Sequence, residues 1–311
     1  MVKDNEIKAQ VSPFAIREGE IKTFDGKDGY VSMNQIVHKI NIGHINEIHF
    51  AILDLVNEFE FITSRQLYQM LEIKGIDPKS QDKLNNKLEQ LVKSKILTRY
   101  YFTSDEGKGI YRIYCLEKMG KYLLNSKEID CKWQPSDNTK PVPMIKKRLA
   151  GNQTLIAYLR KVKAFDSYIV KPAITAKTAG KLFKASGGAV KLTKNNKSIQ
   201  FVFEVIRREQ DWEKKLVERM RLYKDFYENY VLGDSGFSSM PQLILVCEDE
   251  KHMAETFKEI VKNQVEIPQI KLYFTTDLRQ NKETLEETLV EFKLVDGKYR
   301  MENVELKLLG M

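Results

Sequence analysis

Residues 45–125 carry two hydrophobic periods, one after the other. Ile48, Ile52, Leu55, Val56 and Phe59 recur at helical spacing and predict a first helix. Thr63 or Ser64 then caps a short second helix through Gln66, Leu67, Met70 and Leu71. After Gly75, Asp77-Pro78 is expected to start a third helix. Leu84, Leu88 and Leu91 form its buried stripe, with Lys79, Lys83, Asn86, Lys87, Gln90 and Lys93 around the rest. The period changes at Ile96. Two β-branched and aromatic runs, 96–102 and 110–116, flank the polar turn 103–109 and predict a hairpin, and residues 117–124 read as a closing helix.

Three helices followed by a hairpin is the order of a winged helix-turn-helix, here over residues 44–125. Residues 1–43 read as an extended arm with a short helix at 33–40. Pro135, Pro141 and Pro143 fall among Ser126, Asp130, Ser136, Asp137, Asn138 and Thr139, so a linker is expected over 126–143. From 144 to 311 the pattern changes to mixed helices and strands. Helices are expected at 145–162, 211–231 and 253–261, and strands at 167–170, 189–193, 199–206, 243–247 and 270–274. The whole reads as α+β.

At 42% hydrophobic and 30% charged residues, the 311-residue chain has a globular composition. No window is apolar enough to span a bilayer, and the first eight residues lack the apolar run of a secretory signal, so a cytoplasmic location is expected. Cys115, Cys131 and Cys247 are too far apart for a disulfide framework or a CxxC metal site. The net charge of +8 is unevenly spread. Between 140 and 200 there are 14 Lys and Arg residues and one acid, Asp166, whereas an ordinary surface mixes both signs. That imbalance points to a polyanionic partner, first a phosphate backbone.

The winged-helix pattern makes the third helix a candidate for the major groove. Lys83, Asn86 and Lys87 are the residues placed near base edges, since Asn pairs bidentately with adenine and Lys donates to guanine. Lys79, Lys93, Lys108 and Arg112, with Lys146, Lys147 and Arg148 from the basic segment, are the candidate phosphate contacts. In the strand 199–206, alternation puts Gln200, Val202, Glu204 and Ile206 on one face. A carboxylate in that company must be exposed, paired with a base, or part of a site. His38, His44 and His49 lack a one-face helical spacing, and no metal is expected there. Tyr223, Tyr227 and Tyr230 continue the spacing of Trp212, Leu216 and Met220 as a packed aromatic stripe. No GxxxxGK[ST] loop occurs, which argues against a P-loop ATPase.

The run Phe201-Val202-Phe203-Glu204-Val205-Ile206-Arg207-Arg208-Glu209, with the long helix through Lys215, Leu216, Arg221, Tyr223 and Tyr227, resembles the plasmid replication-relaxation family. The likeness covers most of residues 45–275. It implies an N-terminal winged helix-turn-helix followed by a restriction-endonuclease-like α/β domain, and a role in replication or mobilisation of plasmids and conjugative elements. Nucleases of that shape hold Mg²⁺ with an acid on one strand and a Glu-x-Lys pair on the next. The resemblance puts the first acid at Ser186-Gly187, where neither residue is acidic, and Ile206 stands where the lysine belongs. Gly187, Glu204 and Ile206 therefore read as a degenerate nuclease site.

The resulting expectation is a double-stranded-DNA-binding protein without catalysis, cofactor or metal. Its candidate partners are double-stranded DNA, replication or relaxosome proteins, and a second copy of the chain in a homodimer, with no membrane. The rivals are a transcriptional regulator using the winged helix, and a metal-dependent nuclease that draws a second carboxylate from elsewhere, such as Asp166.

Overall fold

The computed structural model describes residues 11–104, 107–108, 111–281, 284–285 and 288–304. Its first half contains β1 (Ile21–Phe24), α1 (Met33–Asn41), α2 (Glu47–Phe59), β2 (Ile62–Thr63), α3 (Ser64–Ile73), α4 (Gln81–Lys93), β3 (Leu97–Ser104), β4 (Gly107–Lys108), β5 (Ile113–Leu116) and α5 (Lys118–Ser126). The strands form one antiparallel sheet in the order β1-β3-β5-β2, with β4 paired to β3. Strand β1 lies in the segment expected as an extended arm. It pairs with β3, and Arg99 on β3 binds Asp25 at 2.9 Å.

Thr63 caps α3 by accepting from Gln66 N, and Gln66 returns the bond to Thr63 N at 3.1 Å. The third helix starts later than Asp77-Pro78 suggests. Ser80 is its cap, accepting from Lys83 N at 3.2 Å, and Lys79 stands outside it at φ 68°. Part of the hairpin tip, including the Lys108 side chain, lies outside the described residues.

The second half runs α6 (Val142–Lys161), β6 (Phe165–Ile169), β7 (Ala173–Ala176), β8 (Lys181–Lys184), β9 (Ala189–Lys194), β10 (Lys197–Val205), α7 (Trp212–Glu228), β11 (Gln242–Cys247), α8 (Glu250–Lys262), β12 (Leu272–Thr276), β13 (Leu289–Val295) and β14 (Lys298–Val304). A seven-stranded sheet has the order β14-β13-β12-β11-β10-β9-β6, and β7 and β8 form a separate hairpin. β10, β11 and β12 are parallel; the other neighbours are antiparallel. Both faces of β10 are buried. Phe201, Phe203 and Val205 join the core cluster shared with α6, whereas Val202 and Ile206 join the cluster under α7 and α8. Glu204 has the parity of the α7 face.

The middle of helix α6, from Leu149 to Tyr158, is largely buried, and the helix joins the two halves. Gln66 Nε2 donates to the Leu149 carbonyl at 2.7 Å, and Asn152 Nδ2 donates to the Phe61 carbonyl at 2.7 Å. On the opposite side Tyr158 packs on Phe203 with ring centroids 4.9 Å apart. The expected linker is packed as well: Trp133 Nε1 donates to Asn138, which donates to the Leu116 carbonyl at 2.9 Å. At the far end of the sheet, buried Arg207 binds both oxygens of Asp277 at 2.8 and 2.9 Å, and the Ser12 hydroxyl donates to the same carboxylate.

Close approach explains Gly151. A Cβ there would lie 2.5 Å from the Ser186 carbonyl oxygen and 2.8 Å from Gly187 Cα. In an unhindered helix, Gly→Ala gains up to about 1 kcal/mol. Here Gly151→Ala is expected to lower the unfolding free energy by about 2 kcal/mol, the scale of an overpacked core. Urea denaturation would read the change, and a stabilised variant would show that α6 does not press on the 186–187 turn.

Candidate nucleic-acid interface

Five cations of the basic segment, Lys140, Lys147, Arg148, Lys171 and Lys184, line one cleft. Its walls are Glu60 and Phe61 after α2, Lys140 before α6, Met144, Lys147 and Arg148 on α6, Lys171 after β6, Leu182, Phe183 and Lys184 on β8, Ser186, and Arg219 on α7. The cavity measures about 590 Å³ and holds six cationic side chains against one carboxylate. It is continuous with a cleft of about 320 Å³ beside Glu204, sharing Lys147, Phe183, Ser186 and Arg219. It also continues into a cavity of about 550 Å³ beside Trp133, sharing Glu60, Phe61, Lys140, Lys171 and Lys184.

Glu60 is the hub of this cleft. Its backbone, at φ 64° and ψ −64°, makes a positive-φ γ-turn closed by Phe61 N–H donating to the Phe59 carbonyl at 2.8 Å. Such a conformation costs a non-glycine residue about 1–3 kcal/mol, and it persists only where the surroundings fix it. Its carboxylate meets Lys140 at 3.2 Å, Arg148 at 3.4 Å, and Lys171. Burial alone would raise the Glu60 carboxyl, but Lys171, Arg148 and Lys140 together hold it below the ordinary carboxylate range. Lys171 moves down, because burial, with Arg148 and Lys140 beside it, outweighs the attraction of Glu60. Lys184 is exposed and makes no hydrogen bond or ion pair among the described residues.

The consecutive bases Lys146, Lys147 and Arg148 have three different surroundings. Lys146 is 1% exposed, and its ammonium is held by Glu20 and the Ala15 carbonyl. As a phosphate contact it is corrected: it faces the N-terminal segment, away from solvent. Lys147 pairs with Glu209, which also takes Lys215 at 2.7 Å. Arg148 donates to the Val170 and Ser186 carbonyls at 3.2 and 3.3 Å, so its guanidinium is fixed in the cleft wall.

Gly187, Glu204 and Ile206, expected from the sequence as a degenerate nuclease site, lie toward the other end of the cleft. Glu204 is 4% exposed; it accepts from the Tyr223 hydroxyl at 2.9 Å and Ser186 N at 3.3 Å, and lies 3.4 Å from Arg219 Nε. A Cβ on Gly187 would sit 2.6 Å from Phe203 Cβ, so this backbone leaves no room for an acid there. Ile206 is buried in the α7 core. Of the other carboxylates lining this end, Glu209 is taken by Lys147 and Lys215, and Glu218 is exposed on α7. These residues do not fit a divalent cation, which needs several oxygens free to converge on it.

The α4 candidates stand apart from this cleft. Lys83 and Asn86 are exposed and Lys87 is half-buried, and none of their side chains has a hydrogen bond or ion pair among the described residues. They share one helix face at i, i+3 and i+4. The other expected phosphate contacts already have partners: Lys79 with Asp77 at 2.9 Å, Lys93 with Glu89 at 3.6 Å, and Arg112 with Asp25 at 3.0 Å. Glu60, Lys171, Lys184 and Arg219 did not stand out individually in the sequence. Lys171 and Lys184 entered only as members of the basic segment 140–200, and Arg219 lies one helical turn before Tyr223 on α7.

No family model matches the chain, nor does any curated protein. Among solved structures, the restriction endonuclease FokI is similar with a TM-score of 0.24 and 10% sequence identity, over 75% of this chain and 43% of that one. The match thus spans less than half of FokI, and a likeness of that size transfers neither fold nor activity.

Arg219→Ala should cost about 2 kcal/mol of unfolding free energy, since it strands a buried carboxylate with two neutral donors. Adding Glu204→Gln should recover most of that loss, because the amide oxygen still accepts from Tyr223. Urea titration of both variants would test the pairing, and a double variant no more stable than Arg219→Ala would disprove it.

Proposed function

We propose that the chain binds double-stranded DNA through this cleft and does not cut it. The observation that carries the reading is the cleft itself, which is lined by six cations and one carboxylate, with Lys140, Arg148 and Lys171 gathered on Glu60 and Lys184 exposed beside them. A polyanion contributes phosphates along its length, and each neutralised phosphate releases counterions, so a row of fixed cations is suited to it.

The first half supports the same reading. The order α2, β2, α3, α4, β3, β5, with β2 paired to β5, fits a winged helix-turn-helix over 44–125. In that fold α4 is the recognition helix, and Lys83, Asn86 and Lys87 form its unpartnered face. The second half then reads as a nuclease-like unit, in which α6 and β6 are followed, after the β7–β8 hairpin, by β9, β10, α7 and β11. Gly187 has no space for an acid, and Glu204 is spoken for by Arg219 and Tyr223, which favours binding over cleavage. A role as a non-catalytic component in plasmid replication or conjugative mobilisation accords with this pairing of units.

The test is the salt dependence of duplex binding, followed by fluorescence anisotropy. Each phosphate contact contributes roughly −0.9 to the slope of log affinity against log salt. Lys171→Ala with Lys184→Ala should therefore flatten the slope by about 2 units. Lys146→Ala should lower stability and leave the slope alone. An unchanged slope in the double variant would remove the cleft from the interface.

A further inference from the structure

Glu60 gathers cations as a phosphate would. Lys140, Arg148 and Lys171 come from three separate stretches of chain, before α6, within it, and after β6, and all three point at one carboxylate. One negative charge cannot neutralise three positive ones, even though Lys140 also pairs with Asp137 at 3.0 Å. The Arg148 guanidinium is held in place, tied to two backbone carbonyls inside the wall. A planar guanidinium held in place, with ammonium groups around it, is the usual protein arrangement for a phosphate group. Lys184, with no partner of its own among the described residues, lines the same cavity. The positive-φ γ-turn that carries Glu60 is the kind of backbone strain that clusters at ligand clamps.

We infer that Lys140, Arg148, Lys171 and Lys184 form a phosphate-binding site, and that the Glu60 carboxylate is its internal stand-in, moving aside when a phosphate group enters. The group is either a backbone phosphate of a nucleic acid or free inorganic phosphate. The first source rests on the DNA-binding reading; the site itself does not.

Calorimetric titration of the full chain with inorganic phosphate tests the site. Glu60→Gln removes the competing charge and keeps the side-chain size, so phosphate should bind about tenfold or more tightly than to the unsubstituted chain. Lys171→Gln in the same background should abolish that gain. Glu60→Gly guards against loss of folding, since glycine accepts this φ without strain. Its thermal midpoint should rise in phosphate above the value in chloride of equal ionic strength. Glu60→Gln or Glu60→Gly binding phosphate no better than the unsubstituted chain, with no midpoint shift specific to phosphate, would overturn the site. A parallel titration with duplex DNA separates the two sources. Tighter binding of both ligands assigns the site to a nucleic-acid backbone. Tighter binding of phosphate alone upholds the site and counts against the DNA reading.

Discussion

The middle of helix α6 can be buried only because a residue without a side chain stands where the 186–187 turn meets it. Gly151 lets that turn approach, and on the opposite side Gln66 and Asn152 bond across to the first half of the chain. The contact fixes more than packing. It places Lys147 and Arg148 in the cleft wall, sets the Ser186 carbonyl against Arg148, and brings Ser186 N to Glu204. The basic cleft and the surroundings of Glu204 are thus two consequences of one helix held between two sheets.

The charges around α6 balance locally in clusters rather than in simple pairs. Glu60 gathers three cations, Glu209 two, and Glu204 one. Concentrating cations in this way costs desolvation and mutual repulsion, and the downward shift of Lys171 is its local sign. Packing alone does not call for such a surplus, because apolar side chains of similar size would fill the same walls without it. A polyanion that enters the cleft would relieve the repulsion and gain counterion entropy at the same time. This is the physical reason for giving the cleft a binding role.

Much of the fold could be read from local pattern. The spacing of Leu84, Leu88 and Leu91 marked the buried side of α4, the alternation in 199–206 gave both faces of β10, and the strands expected at 189–193 and 199–206 are β9 and β10, joined by a turn at Asn195-Asn196 with φ 48° and 61°. Two hairpins were missed. β13–β14 turns at Asp296-Gly297, a dipeptide suited to positive φ, so its signal was present. The β7–β8 hairpin has only Gly180 to mark it.

The site was less legible because charge counts ignore direction. Successive residues on a helix point about 100° apart, so Lys146, Lys147 and Arg148 could not all face one ligand. Glu60 was invisible for a related reason: its role depends on Lys140, Arg148 and Lys171, which lie 80 or more residues away in the chain.

Lysine-reactivity mapping on the folded chain, with and without duplex DNA, tests the binding role most directly. Lys184 in the cleft and Lys83 on α4 are exposed and unpartnered among the described residues, so both should react readily with an acylating reagent in the free protein. DNA bound along the cleft and on the α4 face should protect both, while Lys251 and Lys258 on α8 keep their reactivity. Equal reactivity at Lys184 with and without saturating DNA, or protection confined to α8, would contradict a cleft that binds DNA.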